Sequence, residues 1–163
     1  MTRVGMGYDV HRFADGRRLV LGGVEIAAER GLEGHSDADV LLHALMDALL
    51  GAAGLGDIGI HFPPSDEQWR DSSSLDLLRI VRELLPTGWT IENVDCSLIA
   101  EQPRIGPYRE AMRATIAGAL RVEPSRVNIK ATTNERLGFV GRQEGIAALA
   151  CAALKESDSS TGT

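Results

Sequence analysis

The chain has four histidines, and three of them lie in or beside the first strand and the first helix that the sequence predicts. Asp9 and His11 stand two apart in an alternating segment, so both side chains leave one face of a strand. His43 falls in a helical-period segment, off the main apolar stripe through positions 41, 45, 48 and 52, with Asp39 and Asp47 one turn to either side. A metal-bound imidazole commonly donates its second N–H to a carboxylate, and either aspartate is within reach. Asp9, His11 and His43 would then form a set of two nitrogens and one oxygen with a position left open, the pattern of a catalytic zinc. The same spacing also suits a strand-end turn at Asp9–His11 and a helix histidine satisfied by Asp47, and both readings stand on spacing alone.

Three further segments carry polar chemistry. His35-Ser36-Asp37 precedes the helix, where free N–H groups attract an anion; Ser36 as a plain helix cap is the alternative. Lys130-Ala-Thr-Thr-Asn-Glu135 offers hydroxyls and backbone N–H groups for phosphate oxygens, and Glu135 suits a hard cation such as Mg2+. It reads equally as a polar loop, with Gly138, Gly141 and Gly145 following. Asp57-Ile-Gly59 with Phe62-Pro-Pro-Ser-Asp66 is either an ordinary Pro/Gly loop or a substrate flap.

The elements that must position these residues alternate along the chain. Val4 to His11 reads as strand, and Leu19 to Ile26 as strand broken into a hairpin or bulge by Gly22-Gly23. A helix capped at Ser36 carries Val40, Leu41, Ala44, Leu45, Ala48 and Leu49 and ends at Gly54-Leu-Gly56. A second helix through Leu75, Leu78, Val81 and Leu85 is capped within Ser72–Ser74 and stopped by Pro86. Val94 to Ala100 and Val127 to Thr132 read as strands, Pro107 to Leu120 as a helix, and Ile146 to Leu154 as a closing apolar helix. The interleaving predicts an α+β layer of sheet and helices, one domain over 1–156 with a disordered tail over 157–163.

Composition narrows the function. A length of 163 residues with 44% hydrophobic and 25% charged residues suits one globular domain. Net charge −6 argues against nucleic acid as a partner, so a phosphate ligand would need local positive charge. No apolar run is long enough to span a membrane, and no secretory leader is readable at Met1–Gly5. Cys96 and Cys151 form no CxxC pattern and read as thiols of a cytoplasmic protein. With aromatics at only 4%, the core must be aliphatic and thin, which raises the expectation of an oligomer.

Taken in order, several stretches resemble the 2-C-methyl-D-erythritol 2,4-cyclodiphosphate synthase family of the non-mevalonate isoprenoid pathway. They are Arg3 to Arg12, Gly34-His-Ser-Asp-Ala-Asp-Val40, His43 to Ala53, Gly56-Asp-Ile-Gly59, His61-Phe-Pro63, Lys130-Ala-Thr-Thr133, Glu135 and Leu137 to Gly145. The resemblance spans essentially the whole chain except the tail. It implies a single-layer mixed sheet packed with helices, the chorismate-mutase-like fold of the Bacillus type, assembled as a homotrimer with active sites between subunits. It implies Zn2+ on Asp9, His11 and His43, with Mg2+ or Mn2+ near Glu135. His35 and Thr133 match the residues that stabilise the transition state.

Substrate contacts implied in the same way are Asp9, His11, His35, Ser36, Asp57, Gly59, Phe62, Asp66, Thr132, Thr133 and Glu135. Ala100, Pro103, Arg104, Ile105 and Gly106 belong to the stretch that encloses the cytosine of a cytidine-diphosphate-linked substrate. Phe139, Arg142 and Glu144 match a central channel associated with isoprenoid diphosphate. Three departures stand out: Pro64-Ser65 in the flap, Arg104 where Lys is common, and Glu101 where Gln is frequent. A metal-dependent phosphohydrolase is the main rival; it would usually show an adjacent His-Asp pair, and here Ser36 intervenes.

Overall fold

The alternation read from Val4 to His11 belongs to a longer strand, β1 (Thr2–Ala14), in a computed structural model that describes residues 1–69 and 72–157. Gly22 and Gly23 turn the next two strands, β2 (Leu19–Leu21) and β3 (Val24–Ile26), into a hairpin. Both glycines have positive φ, 59° and 75°, which a tight hairpin turn requires. A short β4 (Gly31–Leu32) follows, then α1 (Val40–Ala53) and a single turn, α2 (Ile58–His61). The chain continues through α3 (Ser74–Leu84), β5 (Trp89–Ile99), α4 (Arg109–Leu120) and β6 (Val127–Thr132). It closes with a single turn, α5 (Gly138–Gly141), and β7 (Gly145–Glu156).

Five strands form one sheet in the order β4-β1-β7-β5-β6. β7 runs antiparallel to both β1 and β5, while β5 and β6 are parallel, joined by the crossover through α4. This is the mixed sheet with helices that the sequence predicts. The largest fully buried side chains are leucines and methionines, so the core is aliphatic as the composition requires.

The expected closing helix over Ile146 to Leu154 is instead β7, the middle strand of the sheet. Its alanines suggest a helix on intrinsic preference, but tertiary packing decides. α1 lies so close to the sheet that small residues are needed beneath it: Ala148, Ala150 and Ala152 are buried there, opposite Asp9, Gly7 and Gly5 of β1. A Cβ on Gly5 would sit 2.0 Å from the Ala48 carbonyl oxygen, and one on Gly7 would sit 1.9 Å from that of Ala44. Glycine is the only residue that fits either place.

The cap of α1 also differs from expectation. Asp39, not Ser36, accepts the Leu42 N–H at 3.1 Å, and Gly54 in the left-handed region ends the helix. Asp39 further accepts from Gly22 N and Gly23 N, which pins the hairpin turn to the helix start. The helix expected from Pro107 begins as a 3-10 turn at Gly106–Tyr108 before α4. Apart from Ser157, the tail over 157–163 lies outside the described residues. No helix among those described is long and apolar enough to cross a membrane.

Candidate metal centre and active site

The pleat of β1 places Gly5, Gly7, Asp9 and His11 on one face. The two glycines let α1 settle onto the strand; beyond them Asp9 and His11 rise toward the first turns of that helix, where His43 comes down. The three side chains meet. Asp9 Oδ2 lies 2.9 Å from His11 Nε2 and 3.0 Å from His43 Nδ1, and the two ring nitrogens are 3.1 Å apart. Tetrahedral zinc with bonds of ~2.0–2.1 Å needs ligands roughly 3.3 Å apart, so the triangle is close to that of a first coordination shell.

The far nitrogens support the same reading. His11 Nδ1 donates to the Glu33 carbonyl at 2.7 Å, which leaves Nε2 to face Asp9 and to ligate a metal once its proton is displaced. His43 Nε2 faces Ser74 Oγ at 3.1 Å and Ser36 Oγ at 3.3 Å, which leaves Nδ1 for the centre. Among the described residues this trio is the one group of three or more His, Cys, Asp or Glu side chains placed to hold a metal ion. Burial alone would raise the Asp9 carboxyl, but hydrogen bonds from His11 and His43 outweigh it and hold the group well below the usual carboxylate range. Burial alone would lower His11; its bond to Asp9 wins, and the imidazole is pushed above its ordinary value.

The expected carboxylate partners of His43 are not the ones found. Asp39 is the cap, fully buried, and burial pushes its carboxyl up to about 6. Asp47 accepts the Ile58 N–H at 2.8 Å and so fastens the start of α2. Their place is taken by Ser74 and Asp37, which nothing in the spacing singles out.

Beside the trio is a cavity of about 250 Å3. It brings together His11, His35, Ser36, His43, Gly59, Phe62 and Asp66 from the expected set, and adds Met46, Trp69 and Leu77. His35 is exposed on a loop gripped from behind, since Arg17 donates to the carbonyls of both Gly34 and Ser36. Asp57 caps α2, accepting the Ile60 N–H, and so supports Ile58 and Gly59. Phe62 meets Trp69 edge-on, with centroids 5.1 Å apart. Trp69 escaped the sequence reading, although a tryptophan in a ring-poor chain, seven residues beyond Phe62, was a usable signal.

A second cavity, of about 410 Å3, opens at the carboxyl ends of the parallel pair β5 and β6. Ala100, Pro103, Arg104, Ile105, Gly106, Thr132 and Thr133 line it. Glu135 stands at its edge, accepting from Thr133 Oγ1 at 3.2 Å. Glu101 proves structural: one oxygen accepts from Asn134 N (2.9 Å) and Arg136 N (3.1 Å), holding the turn in which Glu135 and Arg136 have positive φ. The two cavities share no lining residue. β1 and β6 are three strand spacings apart, roughly 14 Å. Phe139 belongs to a third concavity with Val10, Arg12 and Glu144, and Arg142 pairs with Glu144 at 2.7 Å.

A model of the YgbB family matches residues 2–155. The chain belongs to this family. A relative, the 2-C-methyl-D-erythritol 2,4-cyclodiphosphate synthase of Symbiobacterium thermophilum, is 65% identical over 93% of this chain and 97% of its own length. Among solved structures, the bifunctional IspDF of Campylobacter jejuni superposes with a TM-score of 0.93 at 43% identity, covering 97% of this chain; this chain spans 43% of that one. IspF of Plasmodium falciparum, solved as a CDP complex, gives a TM-score of 0.84 at 33% identity over 96% of this chain and 97% of its own.

Proposed function

We propose that the protein converts 4-diphosphocytidyl-2-C-methyl-D-erythritol 2-phosphate to 2-C-methyl-D-erythritol 2,4-cyclodiphosphate and CMP. The observation that carries the reading is the Asp9–His11–His43 triangle opening beside the His35–Ser36 loop, in a chain 65% identical to a named synthase. In the reaction a 2-phosphate oxygen bonds to the β-phosphorus, the bond between that phosphorus and the bridging oxygen breaks, and CMP departs with the oxygen.

The barrier is mostly anion repulsion and geometry. Seating both phosphates in one cavity makes the closure effectively intramolecular, worth up to ~7–11 kcal/mol in good alignment. His35 and Thr133 supply hydrogen bonds to the charge that develops. Ser36, Asp57, Gly59, Phe62 and Asp66 seat the methylerythritol end, and Ala100 to Gly106 with Thr132 seat the nucleotide. Asp9, His11 and His43 would hold a divalent transition metal, Zn2+ by donor type, and Glu135 a Mg2+ or Mn2+, which together supply Lewis acidity and countercharge to the diphosphate. No side-chain nucleophile is needed.

The finer features follow from the family resemblance. The unit is one domain over 1–156, of the chorismate-mutase-like type, cytoplasmic, and acting on neither nucleic acid nor membrane. It works as a homotrimer in which the metal half of one subunit meets the Thr133–Glu135 half of the next. The bare sheet face supports that assembly: Val4, Met6, Tyr8, Val10 and Leu149 are all exposed, Met6 by 71%, an apolar row a lone chain rarely leaves open. Phe139 and Arg142 would line the channel around the three-fold axis and accept an isoprenoid diphosphate there.

The test is CMP release from the diphosphocytidyl substrate with Zn2+ and Mg2+ supplied. Wild type should release CMP, and a chelator should stop it. Asp9→Ala should slow release about 1000-fold, roughly 4 kcal/mol of lost charge stabilisation. No CMP from wild type would reject the function; full activity in Asp9→Ala would reject the ligand set alone.

A further inference from the structure

The side of His43 that faces away from Asp9 meets a buried polar chain. Nε2 lies 3.1 Å from Ser74 Oγ, and Ser74 Oγ lies 2.5 Å from Asp37 Oδ1. Ser74 is completely buried, and its N–H donates to the second oxygen of Asp37 at 3.0 Å. Directions of donation follow from chemistry. A carboxylate only accepts, so the Ser74 hydroxyl proton points to Asp37, and the Ser74 lone pair is left to receive Nε2–H. In the metal-binding state His43 is thereby held with Nε2–H toward Ser74 and its Nδ1 lone pair toward the centre shared with Asp9 and His11.

We propose that Asp37 and Ser74 are positioning residues for the metal centre, a carboxylate–hydroxyl–imidazole relay that fixes the tautomer, angle and basicity of His43. The proposal rests on the metal reading above. A metal-bound histidine usually meets a carboxylate directly; here a buried hydroxyl is interposed, and its origin matters. Ser74 is the first residue of α3, directly after the segment that carries Phe62, Asp66 and Trp69. Asp37 follows His35 and Ser36, and the Asp37 N–H reaches the Ser72 carbonyl at 3.4 Å. The relay therefore joins three chain segments at one atom of the centre: the His35 loop, α1 and the start of α3. Ser36 Oγ, 3.5 Å from Ser74 Oγ and 3.3 Å from His43 Nε2, packs against the same junction.

The experiment is Zn2+ affinity of the full chain, measured by competition with a chromophoric chelator. Ser74→Ala and Asp37→Asn should each weaken binding about 10–100-fold, the usual cost of removing such a partner. Because the two residues act as one unit, Ser74→Ala/Asp37→Asn should be no weaker than Ser74→Ala alone. The absorption bands of the Co2+-loaded protein should shift in Ser74→Ala, since the imidazole re-orients. Ser73→Ala is the control: Ser73 caps α3 without a side-chain hydrogen bond, and its removal should leave affinity unchanged. Affinities within about twofold of wild type in both single variants, whatever happens to melting temperature, would overturn the relay, as would strictly additive losses. Should Ser74→Ala fail to fold, Asp37→Asn carries the decision, since it keeps the shape while removing the charge and one of the two acceptor oxygens that Ser74 uses. Wild type that takes up no Zn2+ overturns the metal reading and the relay together; wild type that binds while the variants match it overturns the relay alone.

Discussion

His11 is pulled two ways by its surroundings, and the balance gives a pH dependence. Burial disfavours its charged form, but the hydrogen bond and charge of Asp9 favour it more, so in the metal-free fold the imidazolium persists above the ordinary histidine value. A group raised on folding stabilises the fold fully below its unfolded value and loses that contribution as pH rises through the folded one. Asp9, lowered on folding, contributes above its unfolded value and loses the contribution as pH falls toward the folded one. Metal uptake must displace the His11 proton. Apparent Zn2+ affinity should therefore rise about tenfold per pH unit below the raised His11 value and level off above it. Competition titrations from about pH 6 to pH 8 would read this slope, and a flat profile would mean that His11 is not a ligand. Glu101 shows the opposite case at this scale: a carboxylate beside the cavity proposed to seat a nucleotide looks unhelpful by charge, yet its oxygen accepts from two backbone N–H groups of the turn at 134–136.

Among elements, the closest fit is α1 against β1, and it sets where His43 lands. Gly7→Ala would drive a methyl into the Ala44 carbonyl, one residue from His43, with no flexible side chain to yield. We expect a loss of about 3 kcal/mol or more, read as a lower urea midpoint at unchanged slope, and weaker Zn2+ binding as His43 moves. Gly118→Ala makes the contrast: that glycine lies exposed in the last turn of α4 with nothing within 4 Å, so alanine should stabilise by up to about 0.5–1 kcal/mol. The same fit explains what sequence could and could not show. Asp9 and His11 were legible because a strand puts alternate residues on one face, and His43 because it stands off the apolar stripe of its helix. β7 was not, since its alanines answer to the proximity of α1 rather than to strand preference. Asp39 displaced Ser36 as cap because it also answers two N–H groups of a distant hairpin. Ser74 and Asp37 were invisible as partners of His43 because three separate segments must meet before they touch it.

For the whole molecule the question is why the residues proposed to act together divide between two separate cavities. The metal trio lies under α1 near one edge of the sheet, while Thr133 and Glu135 follow β6 at the other. The sheet face opposite α1 is apolar and bare. The proposed three-fold assembly would account for both features at once, covering the face and bringing the Asp9–His11–His43 half of each subunit to the Thr133–Glu135 half of its neighbour. Subunit mixing tests this directly. Asp9→Ala trimers should be inactive for want of the metal half, and Glu135→Ala trimers strongly impaired for want of the other. Unfolded together in equal amounts and reassembled at random, they form sites from every pairing of halves. A site works only when its metal half comes from a Glu135→Ala subunit and its other half from an Asp9→Ala subunit, a chance of one half for each. Activity should therefore recover to about one quarter of wild type. A site contained within one chain could never recover, because every chain in the mixture carries a lesion; a mixture no more active than its parents would place both halves in a single subunit.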